Sequence, residues 1–209
     1  FRRLTDLEYP DCYPRPDYSV RDQVHGAASM VLLCEDIMLG LFDKDYEGEK
    51  FGEYYKKLAL IYKDYSETYG EWSYIFDFHR ALAELIALKG DLGRDILSAY
   101  KDGDFEFLKY CAEKRIPQVM RLTEAVRAAH YEQWHTYYKT FGWQDIGQRY
   151  GVIEERCKTA ISRINSYLSG EVKALEELEE ERLPYIHKWS HNNTTMNVLW
   201  EPNKIARPY

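Results

Sequence analysis

Apolar positions along this chain recur mostly every three to four residues, the period of a helix that turns one face to a core. Between residues 51 and 69, Tyr54, Leu58, Ile61, Tyr62, Tyr65 and Tyr69 form one such stripe, and Gly70 closes it. Trp72, Ile75, Phe76, His79, Leu82 and Ile86 form a second, with Gly90 placed to end it in the left-handed conformation. A short third helix over 92–100 gives way to Asp102, Gly103 and Asp104, a turn whose last residue can cap the next helix. That helix is the longest, over 105–138, and Gly142 ends it. Pro117 lies inside it and predicts a kink or break near Arg115, because proline removes a helix hydrogen bond and clashes with the preceding turn. Ile153, Cys157, Ala160, Ile161, Ile164 and Leu168 stripe a helix over 152–168. Past Ser169 and Gly170, Val172, Leu175, Leu178 and Leu183 line one side of a last helix over 171–182, and a run of glutamates takes the other.

The ends lack this period. Pro10, Pro14 and Pro16 stand among tyrosines in residues 1–26, an irregular lead-in that needs a neighbour to lie on. Residues 27–41 read as a short apolar helix or a pair of turns stopped by Gly40, and 186–209 as an extended tail with a strand candidate over 191–200. The predicted fold is all-α: a bundle of about seven helices over 27–185, with irregular N- and C-terminal segments. The chain begins at Phe1 rather than Met, which predicts a piece of a longer protein with a domain upstream.

Composition narrows the function classes. Charged residues at 30% and hydrophobic ones at 45% fit a globular domain with a core. A net charge of −7 and the lack of a basic cluster argue against nucleic acid as a partner. No apolar run is long enough to cross a bilayer as a helix, so no membrane partner is expected. Cys12, Cys34, Cys111 and Cys157 are scattered with no Cys-x-x-Cys pair, and the last three sit at helical stripe positions. They read as reduced core thiols, which predicts a cytoplasmic location.

Candidate chemistry is sparse. Glu132 and His135 form one Glu-x-x-His pair on a helix, where a di-iron bundle needs two plus further glutamates. His130 lies five residues before His135 and shares no face with it. His79 falls on an apolar stripe and reads as a core histidine with a satisfied hydrogen bond. Glu35 with Asp36, and Glu154 with Glu155, are neighbours that do not face each other on a helix, and read as solvated. No nucleophile elbow or phosphate loop occurs. The expectation is no catalytic residue, no metal and no cofactor. Aromatic rings make up 15% of the chain, mostly at stripe positions. The cluster Trp134, Tyr137, Tyr138, Phe141 and Trp143 closes on a glycine turn, so some rings should leave the bundle. Trp134, Tyr138 and Phe141, at spacings of four and three, share one face, and Gly142 should carry Trp143 away from it.

Two local patterns carry a resemblance. Residues 29–43 read SMVLLCEDIMLGLFD, and 134–145 read WHTYYKTFGWQD. Ser29, Leu32, Leu33, Asp36, Leu39, Gly40, Leu41, Phe42 and Asp43 match a segment of the helical third domain of family 20 glycoside hydrolases, in their three-domain β-N-acetylhexosaminidase subgroup. Lys139, Phe141, Gly142 and Trp143 fit a second segment, followed by Asp145, Ile146, Arg149, Tyr150 and Gly151 with small shifts. Ile164, Tyr167 and Gly170 then precede an acidic helix. Thr140 stands where the family tends to place proline. The resemblance covers residues 27–183.

It implies an ancillary domain and a (β/α)8 barrel upstream. In that family the substrate's own 2-acetamido oxygen attacks the anomeric carbon, oriented by an Asp and served by a Glu as acid and base, all within the barrel. No residue here matches that pair. The chain thus resembles a non-catalytic C-terminal domain of an exo-β-N-acetylhexosaminidase, with its own barrel, and a homodimer, as the partners implied. Trp134, Tyr138, Phe141, Trp143 and Asp145 become candidates for the substrate rim or the domain-docking face. A free-standing helical module that binds protein or carbohydrate stays open as the other class, and a metal-dependent helical enzyme resting on Glu132 and His135 as a third.

Overall fold

A computed structural model describes residues 32–44 and 46–183. Among these residues the fold is all-α, without strands. The lead-in over 1–26, the tail over 186–209 and Cys12 lie outside the described residues. The helices are α1 (Gly52–Thr68), α2 (Ser73–Lys89), α3 (Leu92–Asp102), α4 (Phe105–Tyr110), α5 (Ile116–Tyr137), α6 (Trp143–Leu168) and α7 (Glu176–Glu179). A 3-10 turn, Gly70–Trp72, joins α1 to α2, and a π turn, Cys111–Arg115, joins α4 to α5. Antiparallel α1 and α2 pack side by side, α2 lies on α5, and α5 on α6.

Two cores hold the bundle. Leu85, Leu92, Ile96, Ile116, Val126 and Ile164 anchor the larger one between α2, α3, α5 and α6. The smaller one joins Leu32, Phe42 and Tyr46 to Phe51, Tyr55 and Tyr62, so the residues preceding α1 fold back over the α1–α2 hairpin. That covering shifts the expected stripe of α1. Tyr55, Ala59 and Tyr62 are the buried positions, whereas Tyr54, Ile61 and Tyr69 are exposed. Apolar residues span more than one face of α1, and the covering chain selects the face.

Several boundaries differ from the reading of the sequence. Gly90 ends α2 with φ −60, not in the left-handed conformation. A Cβ there would lie 2.9 Å from the Ile86 carbonyl oxygen and 3.2 Å from Phe51 Cβ, so close packing requires the glycine. Pro117 sits at the start of α5, and the break it predicts takes the form of the π turn, in which the Ile116 N–H donates to the Cys111 carbonyl five residues back. Asp104 caps α4 as expected, its carboxylate accepting from the Phe107 N–H at 2.9 Å. Helix α5 stops at Tyr137, where Tyr138 turns extended, and Gly142 at φ 91 opens α6 rather than closing α5. Helix α6 begins nine residues before the expected 152. The last helix shrinks to α7, with bends over 171–173.

Candidate functional site

Two regions gather chemically capable side chains. The first is the turn-rich segment ahead of α1. Asp36 Oδ1 accepts from the Met38 N–H at 2.8 Å and the Leu39 N–H at 3.1 Å. Glu35 Oε1 accepts from the Phe42 N–H at 2.8 Å. Lys89 Nζ, buried at the end of α2, donates to the carbonyls of Leu32 at 2.7 Å and Glu35 at 2.6 Å. Arg156 of α6 donates to the Cys34 carbonyl at 2.9 Å and lies 3.4 Å from Asp36. Arg182 donates to the carbonyls of Met38 and Leu39, with its Nε 3.5 Å from Asp43 Oδ2. Gly40, at φ 52, leaves room for that carboxylate, because a Cβ would stand 2.0 Å from Asp43 Oδ2.

These acids are half-buried and held by partners, not solvated as the sequence suggested for Glu35 and Asp36. Burial, with repulsion from Asp43 second, pushes Glu35 up to about 7, against the opposing pull of Lys89. Burial likewise raises Asp43, while Arg182 and Arg94 pull it down. Each carboxylate holds a backbone N–H or faces an arginine, so the arrangement fixes a turn. The missed signal was positional: Glu35, Asp36 and Asp43 stand inside an apolar run, where an acid needs partners.

The second region is the aromatic end of the bundle. Trp134 stacks on Tyr138 at 4.7 Å between ring centroids, and its Nε1 donates to the Lys139 carbonyl at 2.9 Å. Phe141 is 89% exposed and Tyr138 62%. Both lie in the α5–α6 connection, so the helical spacing that joined Phe141 to Trp134 and Tyr138 does not apply there. Trp143 turns back onto α5, contrary to the expectation that Gly142 carries it away. Its ring lies 5.2 Å from Tyr131 and 5.5 Å from His130, both edge-on, and 6.2 Å from Trp134. Asp145 is exposed in the first turn of α6.

Sequence reasoning passed over a third part of this end. Trp72, 47% exposed, lies 6.5 Å from Tyr74, whose ring is 5.7 Å from Tyr137 of α5. The Tyr74 and Tyr137 hydroxyls share a short hydrogen bond. The α1–α2 turn and the α5–α6 turn therefore meet.

The described histidines are engaged. His79 Nδ1 donates to the Ile75 carbonyl at 2.8 Å, and burial lowers its pKa. His130 Nδ1 lies 2.8 Å from the Tyr150 hydroxyl, and burial pushes the imidazole down to about 4. His135 Nδ1 donates to the Tyr131 carbonyl at 2.9 Å. Among the described residues no three His, Cys, Asp or Glu side chains gather as a metal site. A shallow groove of about 530 Å³ runs between α1, α2 and α5, over Ala59, Leu60, Ala87 and Leu122. No residue of either region lines it.

The family model of the glycoside hydrolase 20C C-terminal domain matches residues 4–197. No curated protein matches the chain. The chain belongs to the glycoside hydrolase 20C C-terminal domain family, and the expected resemblance holds over nearly its whole length.

Proposed function

We propose that this C-terminal domain of a family 20 glycoside hydrolase performs no chemistry of its own and packs on the catalytic (β/α)8 barrel of an exo-β-N-acetylhexosaminidase, with its aromatic end on the barrel's rim. The exposed rings of Tyr138 and Phe141 in the α5–α6 connection, with Tyr138 stacked on Trp134, are the observation that supports this reading most. Each Å² of apolar surface taken from water is worth about 25 cal/mol, so burying such rings against another domain contributes to holding the two together. The half-buried acids Glu35, Asp36 and Asp43 support the same division of labour, since they are engaged in pinning a turn and none lines the groove. On this reading the domain spans residues 27–185. The protein works in the cytoplasm, where Cys34, Cys111 and Cys157 stay free.

Assay of a chromogenic β-N-acetylglucosaminide tests the division of labour. The full-length protein should turn it over and the 209-residue chain should show background rates. Turnover that follows the 209-residue chain through purification overturns the reading.

A further inference from the structure

The aromatic end extends beyond the α5–α6 connection. Ring contacts run from Trp72 through Tyr74 and Tyr137 to Tyr138 and Trp134 without a gap wider than 6.5 Å between centroids. Two chain segments more than 60 residues apart thus build one surface, on which Trp72, Tyr137 and Tyr138 are exposed, and Phe141 is exposed three residues further along the same connection.

Several of its polar groups already have partners within the domain. The Tyr74 and Tyr137 hydroxyls bond each other, Trp72 Nε1 donates to Glu71 at 2.8 Å, and Trp134 Nε1 donates to the Lys139 carbonyl. A sugar platform needs donors and acceptors free to read hydroxyls alongside its rings. These rings offer apolar faces with both indole donors and one hydroxyl of the Tyr74–Tyr137 pair already engaged, which suits a protein surface better. The segments that carry these rings are acidic: Glu71, which accepts from Trp72 Nε1, and Glu132 and Asp145 are exposed, with Lys139 the exposed base of the α5–α6 connection. A partner that fits is apolar at its centre and basic at its edge.

We infer that the α1–α2 turn, through Trp72 and Tyr74, and the α5–α6 turn form one acid-edged docking surface for an apolar, basic-edged face of the upstream catalytic domain. The inference rests on the docking proposed above and adds to it the α1–α2 turn and the charge of the partner.

Hydrogen exchange of the full-length protein, read separately at residues 70–74 and 134–145, tests it with W72D and F141D. Both side chains are exposed, so the 209-residue chain carrying either change should melt as the parent does. In the full-length protein W72D should speed exchange at both turns about tenfold, and F141D should do the same. If F141D uncouples the domains and W72D does not, the α1–α2 turn lies outside the interface and the inference fails while docking stands. If neither does, docking itself fails. Should W72D unfold the chain, the unsubstituted full-length protein still decides: raising salt from about 0.05 to about 0.5 M should speed exchange at both turns together, and no change overturns the charged edge. Protection of residues 70–74 in the 209-residue chain by a β-linked N-acetylglucosamine oligomer would assign the surface to sugar and overturn the inference.

Discussion

At the scale of single residues, Glu35 is the group whose environment departs most from what its neighbours in the sequence suggest. Adjacent acids on a short helix ordinarily face water, yet here the chain turns at Ile37 and the carboxylate is folded under Phe42. Its pKa rises from 4.5 to about 7, so the folded state keeps a proton that the unfolded chain would release. Ionisation then subtracts stability as pH rises from about 4.5 through about 7, by something of order 1–3 kcal/mol. Glu35→Gln removes that titration and keeps an oxygen for the Phe42 N–H. The variant should gain on the parent as pH rises, with a larger advantage in denaturant melts at pH 8 than at pH 5. His130 works in the opposite sense, since its lowered pKa costs stability as pH falls from 6.5 towards 4. That effect is common to both proteins and cancels in the difference. A difference that stays flat with pH would mean Lys89 keeps Glu35 ionised throughout.

At the scale of elements, periodicity located the helices well where the local signals along the chain agree. Helices α2 and α3 and the Asp104 cap were legible because the stripe, the stop and the cap agree. The start of α6 was not, because Gly147 and Gly151 weaken its first turns. Tyr150 and Ile153, buried against the larger core, hold those turns helical. The last helix was overestimated for the converse reason. Glu176, Glu177, Glu179, Glu180 and Glu181 repel along a helix, and Glu176 and Glu177 turn instead to Arg163. The chain then frees Arg182 to reach the segment ahead of α1, a contact that no local pattern encodes. Lys89 is equally illegible, standing as the polar end of an apolar stripe. Its ammonium satisfies two carbonyls, and Lys89→Met would strand both, costing about 2–4 kcal/mol. Urea denaturation of that variant measures the cost, and a loss below about 0.5 kcal/mol would mean water replaces the ammonium there.

At the scale of the whole molecule, the aromatic end divides into rings that hold the domain together and rings that face outward, and sequence spacing did not tell which were which. Trp143 and Phe141 are two residues apart across Gly142, and the resemblance nominated both as rim or docking candidates. Gly142, at φ 91, sends them to different environments: Trp143 back among Tyr131, His130 and Trp134, and Phe141 into solvent. Removing a packed ring leaves a cavity and forfeits its contacts, so Trp143→Ala should cost the 209-residue chain about 2–4 kcal/mol. Phe141→Ala has nothing to lose there and should fall within about 0.5 kcal/mol of the parent. The order should reverse in its consequence for the full-length protein. Phe141→Ala, silent in the domain alone, should lower the temperature at which the domain melts in the complete chain, because the partner surface loses its most exposed anchor. Paired thermal melts of both variants in both contexts decide the matter. A large loss from Phe141→Ala in the 209-residue chain would make that ring part of the core. A silent Phe141→Ala in both contexts would leave the outward rings without a partner.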